Sequence, residues 1–147
     1  MTAPIKHDSN AEIKIVTTRS HMTGLIQKSL QSIPNSKMIH AGGAGYKVIS
    51  VIDGEADCYI YPRNGTKRWD TCAPEAIIRS LGGCLTDVFN KEYLYLHDEN
   101  HFVENYTGIV TSLHPTNEFF TDKLSNELKE HVKKDAEAFV EARKPKL

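Results

Sequence analysis

Residues 65–76 combine side chains that could hold a metal ion or a phosphate. Asp70 lies where a helix is predicted to begin, and Asp is a favoured N-cap because its side-chain oxygen accepts a backbone N–H. Pro74 falls in the predicted first turn, where a missing N–H removes no helical hydrogen bond. A carboxylate fixed there can coordinate a hard cation, and the helix start attracts anions. From the residues alone, a simple N-cap remains the alternative role of Asp70.

Two upstream turns could contribute to binding an anion. In the glycine loop at residues 42–45, small residues let backbone amides approach an anion, and the ammonium group of Lys47 supplies a point charge for phosphate. In the turn at residues 18–21, Thr18 and His21 could donate to a phosphate or hold a base or ribose edge. An ordinary surface turn remains the alternative at both places.

His97 and His101 have the i, i+4 spacing of a helical zinc site. The polar residues around them predict an exposed loop instead. Because no cysteine or third histidine is suitably spaced, we interpret this pair as part of a solvated loop.

The sequence resembles the lithium-sensitive, magnesium-dependent phosphomonoesterases of the inositol monophosphatase superfamily, and most of all their 3′(2′),5′-bisphosphate nucleotidase branch. Residues 65–76 resemble the second signature of this family. Four further segments match in order and at about the family's spacing: Thr17-Thr18-Arg19-Ser20-His21, Ala41-Gly42-Gly43-Ala44-Gly45-Tyr46-Lys47, Gly54-Glu55-Ala56-Asp57 and Leu81-Gly82-Gly83-Cys84-Leu85-Thr86-Asp87.

The resemblance implies roles for individual residues. Asp70 would be a ligand of Mg²⁺, the implied cofactor, and the neighbouring Trp69 would only pack. The substrate-binding residues would be those that hold adenosine 3′,5′-bisphosphate for cleavage to AMP, namely Thr18, His21, Gly43 and Lys47.

The resemblance covers only the second half of such an enzyme, because the family's first signature, Asp-Pro-Ile-Asp-Gly-Thr, and an upstream metal-binding Glu are absent. We therefore expect no catalytic residue in this half. The expected partner is the missing amino-terminal half or, through the uncovered face, a second copy of the chain. Two alternatives stay open: a catalytically inactive nucleotide-binding or interaction module and, within the family, an inositol polyphosphate 1-phosphatase.

Composition narrows the class of protein. With 147 residues, 18 basic and 19 acidic side chains, the chain has the length of one domain and lacks the positive field of a nucleic-acid-binding protein. The odd set of three cysteines has no CxxC pair, which predicts buried thiols in a reducing compartment. No apolar run is long enough to cross a membrane. We expect a soluble, cytoplasmic protein.

Alternating strand and helix patterns predict a single α/β domain over residues 11–147, with residues 1–10 as a frayed start. Under the resemblance, this domain is the carboxyl-terminal α/β half of a layered sandwich. The predicted strands are residues 13–17, 37–40, 58–61, 85–88, 93–96 and 108–111. Helices are predicted around residues 22–33 and 48–52, over residues 70–81 with Ile77, Ile78 and Leu81 inward, and as one long amphipathic helix over residues 115–143.

Overall fold

The computed structural model describes residues 10–20, 22–96 and 102–144. Its centre is one five-stranded mixed sheet. The strands are β1 (Ile13–Thr18), β2 (Ser36–Ala41), β3 (Cys58–Tyr61), β4 (Cys84–Thr86) and β5 (Ile109–Ser112). Their order across the sheet is β2-β1-β3-β5-β4. β1 runs parallel to both β2 and β3, whereas β5 is antiparallel to β3 and β4.

Helices cover both faces of this sheet. They are α1 (Gly24–Gln31), α2 (Ala44–Ile52), α3 (Arg68–Ser80), α4 (Glu118–Thr121) and α5 (Asn126–Glu141). Side chains alternate along a strand, so Ile15 packs with α1, α4 and α5 on one face, and Val16 packs with α2 and α3 on the other. The predicted α/β class is confirmed. No described helix is both long and apolar enough to cross a membrane.

The predicted helix over residues 115–143 is wrong, because the chain forms α4 and α5 with a break between them. Ser125 causes the new start: its hydroxyl accepts the amide of Leu128 at 3.2 Å as the N-cap of α5. The same hydroxyl lies 2.9 Å from that of Ser29 in α1, which fixes the break against a neighbouring helix.

Two strand predictions after α3 are also corrected. β4 ends at Thr86 rather than residue 88, because the Asp87 carboxylate accepts the amides of Phe89 at 2.8 Å and Lys91 at 2.9 Å and turns the chain. Residues 93–96 form no strand. They are held by side chains instead, with the Tyr93 hydroxyl donating to the Gly108 carbonyl at 2.6 Å.

The cysteine prediction holds in part. Cys58 and Cys84 are buried, and burial raises the pKa of the Cys58 thiol and raises that of Cys84 to about 11. Cys72 is exposed on α3, so the expectation of three buried thiols is wrong. The frayed start predicted for residues 1–10 falls almost wholly outside the described residues.

Candidate functional site

The candidate site lies where the three parallel strands end. Thr18 is aligned with Ala41 across β1 and β2, and Val16 is aligned with Tyr59 across β1 and β3. The carboxyl ends of these strands therefore meet at one edge, which is where ligands bind in open α/β sheets. α2 starts directly after β2, and α3 starts a short loop after β3, so both helix starts lie near this edge.

An anion can come close to the backbone at the start of α2. Gly43 is the N-cap with φ of +75°, a conformation that side chains other than glycine's rarely adopt. It offers no side-chain oxygen to the first amides of the helix, which leaves them available to an anion.

Lys47 is the charged group of this helix start. Its side chain is inward, the residue is only 4% exposed, and its ammonium donates to the Gly43 carbonyl at 3.1 Å. The ammonium also lies 5.0 Å from the ring centroid of Tyr59, a cation–π contact. Burial lowers the Lys47 pKa. Within the described residues, two of the three N–H donors of the Lys47 ammonium lack an acceptor. The ammonium can therefore donate a hydrogen bond to an acceptor on a ligand.

Thr18 ends β1 beside the glycine loop. Its hydroxyl accepts the Ser20 amide at 3.3 Å, and its carbonyl accepts a hydrogen bond from His40 Nδ1 at 3.0 Å. His21 lies outside the described residues. The histidines proposed for a solvated loop, at 97 and 101, lie outside them as well.

Arg19 joins the two upstream turns, although the sequence analysis gave it no role. A Cβ added to Gly42 would lie 3.3 Å from the Arg19 guanidinium, which therefore rests against the glycine loop. A larger residue at position 42 would push this charge away. The sequence offered one indication of a role for Arg19, because it follows Thr18 in a segment that matches the family.

Asp70 lies at the start of α3, but not as its N-cap. Lys67 is the N-cap, and Asp70 is the third helical residue, whose Oδ2 accepts the Lys67 amide at 2.9 Å in a capping box. The helix predicted to begin near Asp70 is present and begins two residues earlier, so the N-cap role of Asp70 and the placement of Pro74 in the first turn are wrong. Pro74 lies inside α3, where it gives no N–H to the Asp70 carbonyl.

The available oxygens of Asp70 fit part of a magnesium site. Its carboxylate is exposed, and Oδ1 has no hydrogen-bond partner among the described residues. Oxygen is the ligand that Mg²⁺ prefers, but the ion takes six of them in octahedral geometry. Residues 10–20, 22–96 and 102–144 contain no group of three or more His, Cys, Asp or Glu that could hold a metal. Asp70 could therefore supply one ligand, and no cluster of three or more such residues in this part of the chain supplies the others.

Tyr59 contacts Lys47, and the charge of Asp70 affects its phenol. Its ring contacts the Lys47 ammonium, and the Asp70 carboxylate is close enough to contribute to the raised pKa of the Tyr59 phenol, behind the larger effects of burial and Tyr61. A Cβ added to Gly45 would lie 3.9 Å from Pro74, so the start of α2 packs against the middle of α3. The strand pattern predicted a strand at residues 58–61 but gave no indication of these neighbours.

A separate network holds the start of α3. The Arg68 guanidinium lies 4.1 Å from the Tyr93 ring centroid, and it donates to the side chain of Asn105 and to the carbonyls of Leu94 at 3.1 Å and Glu104 at 3.3 Å. These contacts fix the backbone from which Asp70 projects.

The outer surface of α2 and α3 is apolar, and we call it the outer face. Its large exposed side chains are Tyr46, Ile49, Trp69, Ile77 and Leu81. Trp69 is 61% exposed, with the Lys67 ammonium 5.0 Å from its ring centroid, so it does not pack into the core of the described residues. The inward positions predicted for Ile77 and Leu81 are also wrong, whereas Ile78 is buried as expected.

An open groove of about 860 Å³ lies elsewhere, between residues 87–94 and α5. Its lining mixes charges of both signs, such as Lys91 and Lys133 with Glu92 and Glu137. None of the predicted site residues lines it.

The chain belongs to the inositol monophosphatase family, whose model matches residues 2–137. It is 36% identical over 115 residues to 3′(2′),5′-bisphosphate nucleotidase 1 of Dictyostelium discoideum, covering 78% of this chain and 36% of that protein. It is 38% identical over 99 residues to the protein of the same name in Homo sapiens, covering 67% and 32%. The Golgi-resident adenosine 3′,5′-bisphosphate 3′-phosphatase of Mus musculus is 35% identical over 118 residues, covering 76% and 32%. The chain thus spans about a third of the length of these curated relatives.

Solved structures confirm the fold. CysQ from Bacteroides thetaiotaomicron, a bacterial member of the inositol monophosphatase family, superposes with a TM-score of 0.57 at 24% identity, covering 73% of this chain and 39% of that one. SaIMPase-II with bound inositol monophosphate gives a TM-score of 0.68 at 13% identity, covering 91% and 50%. The described sheet and helices therefore have the architecture of part of an inositol monophosphatase-like fold.

Proposed function

We propose that this chain contributes to the magnesium-dependent hydrolysis of adenosine 3′,5′-bisphosphate to AMP and phosphate. The observation that carries the proposal is the start of α2 at the carboxyl end of the sheet, where the first amides have no side-chain cap and the Lys47 ammonium lies 3.1 Å from the Gly43 carbonyl and 5.0 Å from the Tyr59 ring centroid. The names of the relatives agree in substrate class: two are bisphosphate nucleotidases, and a third is an adenosine 3′,5′-bisphosphate 3′-phosphatase.

Each predicted binding residue has a physical role in this proposal. Lys47 neutralises phosphate charge with the two donors left over from its bond to Gly43. The uncapped amides at the start of α2 face the same anion, and Gly43 allows the ligand to approach the backbone. Thr18 and His21 would hold the ribose, the base or the second phosphate.

Magnesium, when bound, supplies positive charge that polarises the phosphoryl group and lowers the pKa of a coordinated water. Asp70 Oδ1 would hold it, while Oδ2 keeps the bond to the Lys67 amide that orients the carboxylate. We propose no catalytic base within the described residues. This chain would provide binding and orientation, and an amino-terminal half like that of the relatives would provide the activating groups.

We further propose that such an amino-terminal half packs on the outer face of α2 and α3. Two adjacent helices that carry large apolar side chains on their outer surface, such as Trp69 and Ile77, expose the kind of patch that marks an interface. Without that partner, the same surface would drive self-association.

A cytoplasmic location is part of the proposal, supported by three cysteines that form no disulfide. Cell fractionation tests it, and recovery of the chain from a membrane-enclosed secretory compartment would contradict it.

A phosphate-release assay tests the activity. The chain is mixed with the amino-terminal half of a bisphosphate nucleotidase, magnesium and adenosine 3′,5′-bisphosphate. We expect release from the mixture, inhibition by lithium, and loss in Asp70→Asn, a variant that retains an oxygen to accept the Lys67 amide. Asp53→Asn, at the opposite end of α2, is the matched control and should behave like the wild type. No release from the mixture, with the partner folded and bound, would contradict the proposal.

A catalytically inactive nucleotide-binding module is the second candidate. It is favoured because the described residues hold no group of three or more His, Cys, Asp or Glu that could bind a metal. Binding of the bisphosphate without turnover at any magnesium concentration, with or without the partner half, would identify this function.

A further inference from the structure

Tyr59 carries a buried polar group without a partner. The residue is 1% exposed, and no described residue forms a hydrogen bond with its hydroxyl. Burying such a group unpaired costs free energy, and a phenylalanine would fill the same space without that cost. An unpaired group of this kind calls for a physical explanation.

The half-buried Tyr93 offers a contrast. Its hydroxyl donates to the Gly108 carbonyl at 2.6 Å and lies 2.9 Å from the Thr107 hydroxyl. The described protein thus satisfies the phenol of Tyr93 and leaves that of Tyr59 without a partner.

The position is the junction between α2 and α3. The Tyr59 ring packs with Val48 of α2 and Ile78 of α3. Lys47 contributes the ammonium 5.0 Å from the ring centroid, and Asp70 is close enough to affect the phenol electrostatically. The Tyr59 ring therefore lies against Lys47, which is the residue assigned above to the phosphorylated ligand.

We propose that Tyr59 is a further ligand-binding residue of this site, whose hydroxyl donates to an oxygen of the phosphorylated ligand bound by Lys47. The hydrogen bond forms only in the complex, because the Lys47 ammonium covers the ring until a ligand draws it away from the Gly43 carbonyl. The inference rests on the proposed function for the location of the ligand, and it assigns to Tyr59 a role that the resemblance did not imply.

The test compares Tyr59→Phe with Thr111→Val. Thr111 is the cross-strand neighbour of Tyr59, and its buried hydroxyl also lacks a partner among the described residues. Both changes remove one unpaired hydroxyl from the same face of the sheet. Only Tyr59 contacts Lys47, so Thr111→Val controls for the general effect of removing a buried hydroxyl.

Two measurements are made on each purified chain: Tm, and the affinity for adenosine 3′,5′-bisphosphate and for inorganic phosphate by isothermal titration calorimetry with magnesium. We expect Tyr59→Phe to keep or raise Tm while it weakens binding of both ligands about ten- to a hundredfold, as for the loss of a hydrogen bond to a charged group. Thr111→Val should keep or raise Tm and bind like the wild type.

Three results would overturn the inference. Wild-type affinity in Tyr59→Phe would overturn it alone and leave the proposed function standing. A lower Tm in Tyr59→Phe would reveal a structural hydrogen bond, such as one to a buried water, and would also overturn it alone. No binding of either ligand by the wild-type chain would overturn both the inference and the proposed function.

Discussion

The two faces of the sheet differ in how their buried polar groups are paired. Beside α4, the buried Asn117 amide donates to the Thr86 hydroxyl at 3.0 Å and to the Val110 carbonyl at 2.7 Å, and its oxygen accepts from Ser112 at 2.7 Å. Between α2 and α3, Lys47 uses one of three donors and Tyr59 uses none among the described residues. Complete pairing is what a folded core requires, whereas incomplete pairing at a sheet edge is expected of a site that awaits a ligand.

The outer surfaces of the two helical layers differ in polarity. The exposed side of α5 is charged, and His131 Nε2 lies 3.4 Å from Asp135 Oδ2 on it. The outer face of α2 and α3 instead carries Trp69 and Ile77. One layer is therefore suited to water and the other to a protein surface.

The largest expected effect on stability comes from the face beside α4, where the buried side chain of Asn117 is fully paired. Asn117→Ala would remove three hydrogen bonds from the buried network, so we expect a loss of about 3 kcal/mol of unfolding free energy. Urea denaturation measures it. Asn126→Ala, at an exposed position of α5, should change stability far less. Equal stability of the two variants would show that the comparison of the two faces is wrong.

The next largest effect is expected between α2 and α3, where buried polar groups are incompletely paired. Lys47→Met should weaken binding of adenosine 3′,5′-bisphosphate about a hundredfold, as expected for loss of a charge-assisted contact, while the fold is retained. Calorimetry measures the affinity, and Lys28→Met on α1 serves as control. If both variants bind equally well, Lys47 does not hold the ligand.

Lys47 should also make the stability of the protein depend on pH. Because burial lowers its folded-state pKa, the unfolded chain binds more protons between that value and the ordinary 10.5, so this group makes stability rise with pH across that window. Denaturation curves at alkaline pH should show the rise in the wild type and a smaller one in Lys47→Met. An identical pH profile would contradict the assignment of a buried charge.

A smaller effect is expected at the outer face. The chain alone should self-associate at high concentration, and Trp69→Ser combined with Ile77→Glu should raise the dissociation constant about tenfold or more, since apolar area leaves the interface. Sedimentation velocity measures this, with Lys133→Glu on α5 as the control. A wild-type chain that stays monomeric at all concentrations would contradict the proposed role of this face.

The smallest effect is expected from Asp87, whose pKa is raised chiefly by burial. Between the ordinary value of 3.8 and the raised value, the folded protein holds a proton that the unfolded chain has lost, so stability falls as pH rises through that window. Asp87→Asn should remove this slope from denaturation measurements made just above pH 3.8, and the exposed Asp135→Asn should not. A slope that persists in Asp87→Asn would assign it to another group.

The sequence predicted those parts of the fold that depend on local pattern. The alternation in β1 and the apolar run of β3 were enough to define two central strands. The break before α5 could not be predicted from periodicity, because Phe120, Leu124 and Leu128 continue the helical pattern across it. The break depends on Ser125, whose role as a cap requires its contact with Ser29 in another helix.

The sequence predicted some residues of the candidate site but not the contacts between them. The order of the matched segments identified Gly43, Lys47 and Asp70, and the family is confirmed; the roles of these residues stay predictions. Hydrophobicity alone could not distinguish the inner from the outer apolar side of α3, so Ile77 was assigned to the wrong side. The contact between Tyr59 and Lys47 joins β3 to α2, a tertiary relation that no local pattern records.

The most direct test of the account is the effect of magnesium on binding of adenosine 3′,5′-bisphosphate, measured by calorimetry for the wild type, Asp70→Asn and Asp53→Asn. We expect magnesium to tighten binding about tenfold or more in the wild type and in Asp53→Asn, because Asp70 Oδ1 and a ligand phosphate would share the ion. In Asp70→Asn, magnesium should have little effect. If magnesium tightens binding equally in all three proteins, Asp70 does not hold the ion and the proposed site is wrong.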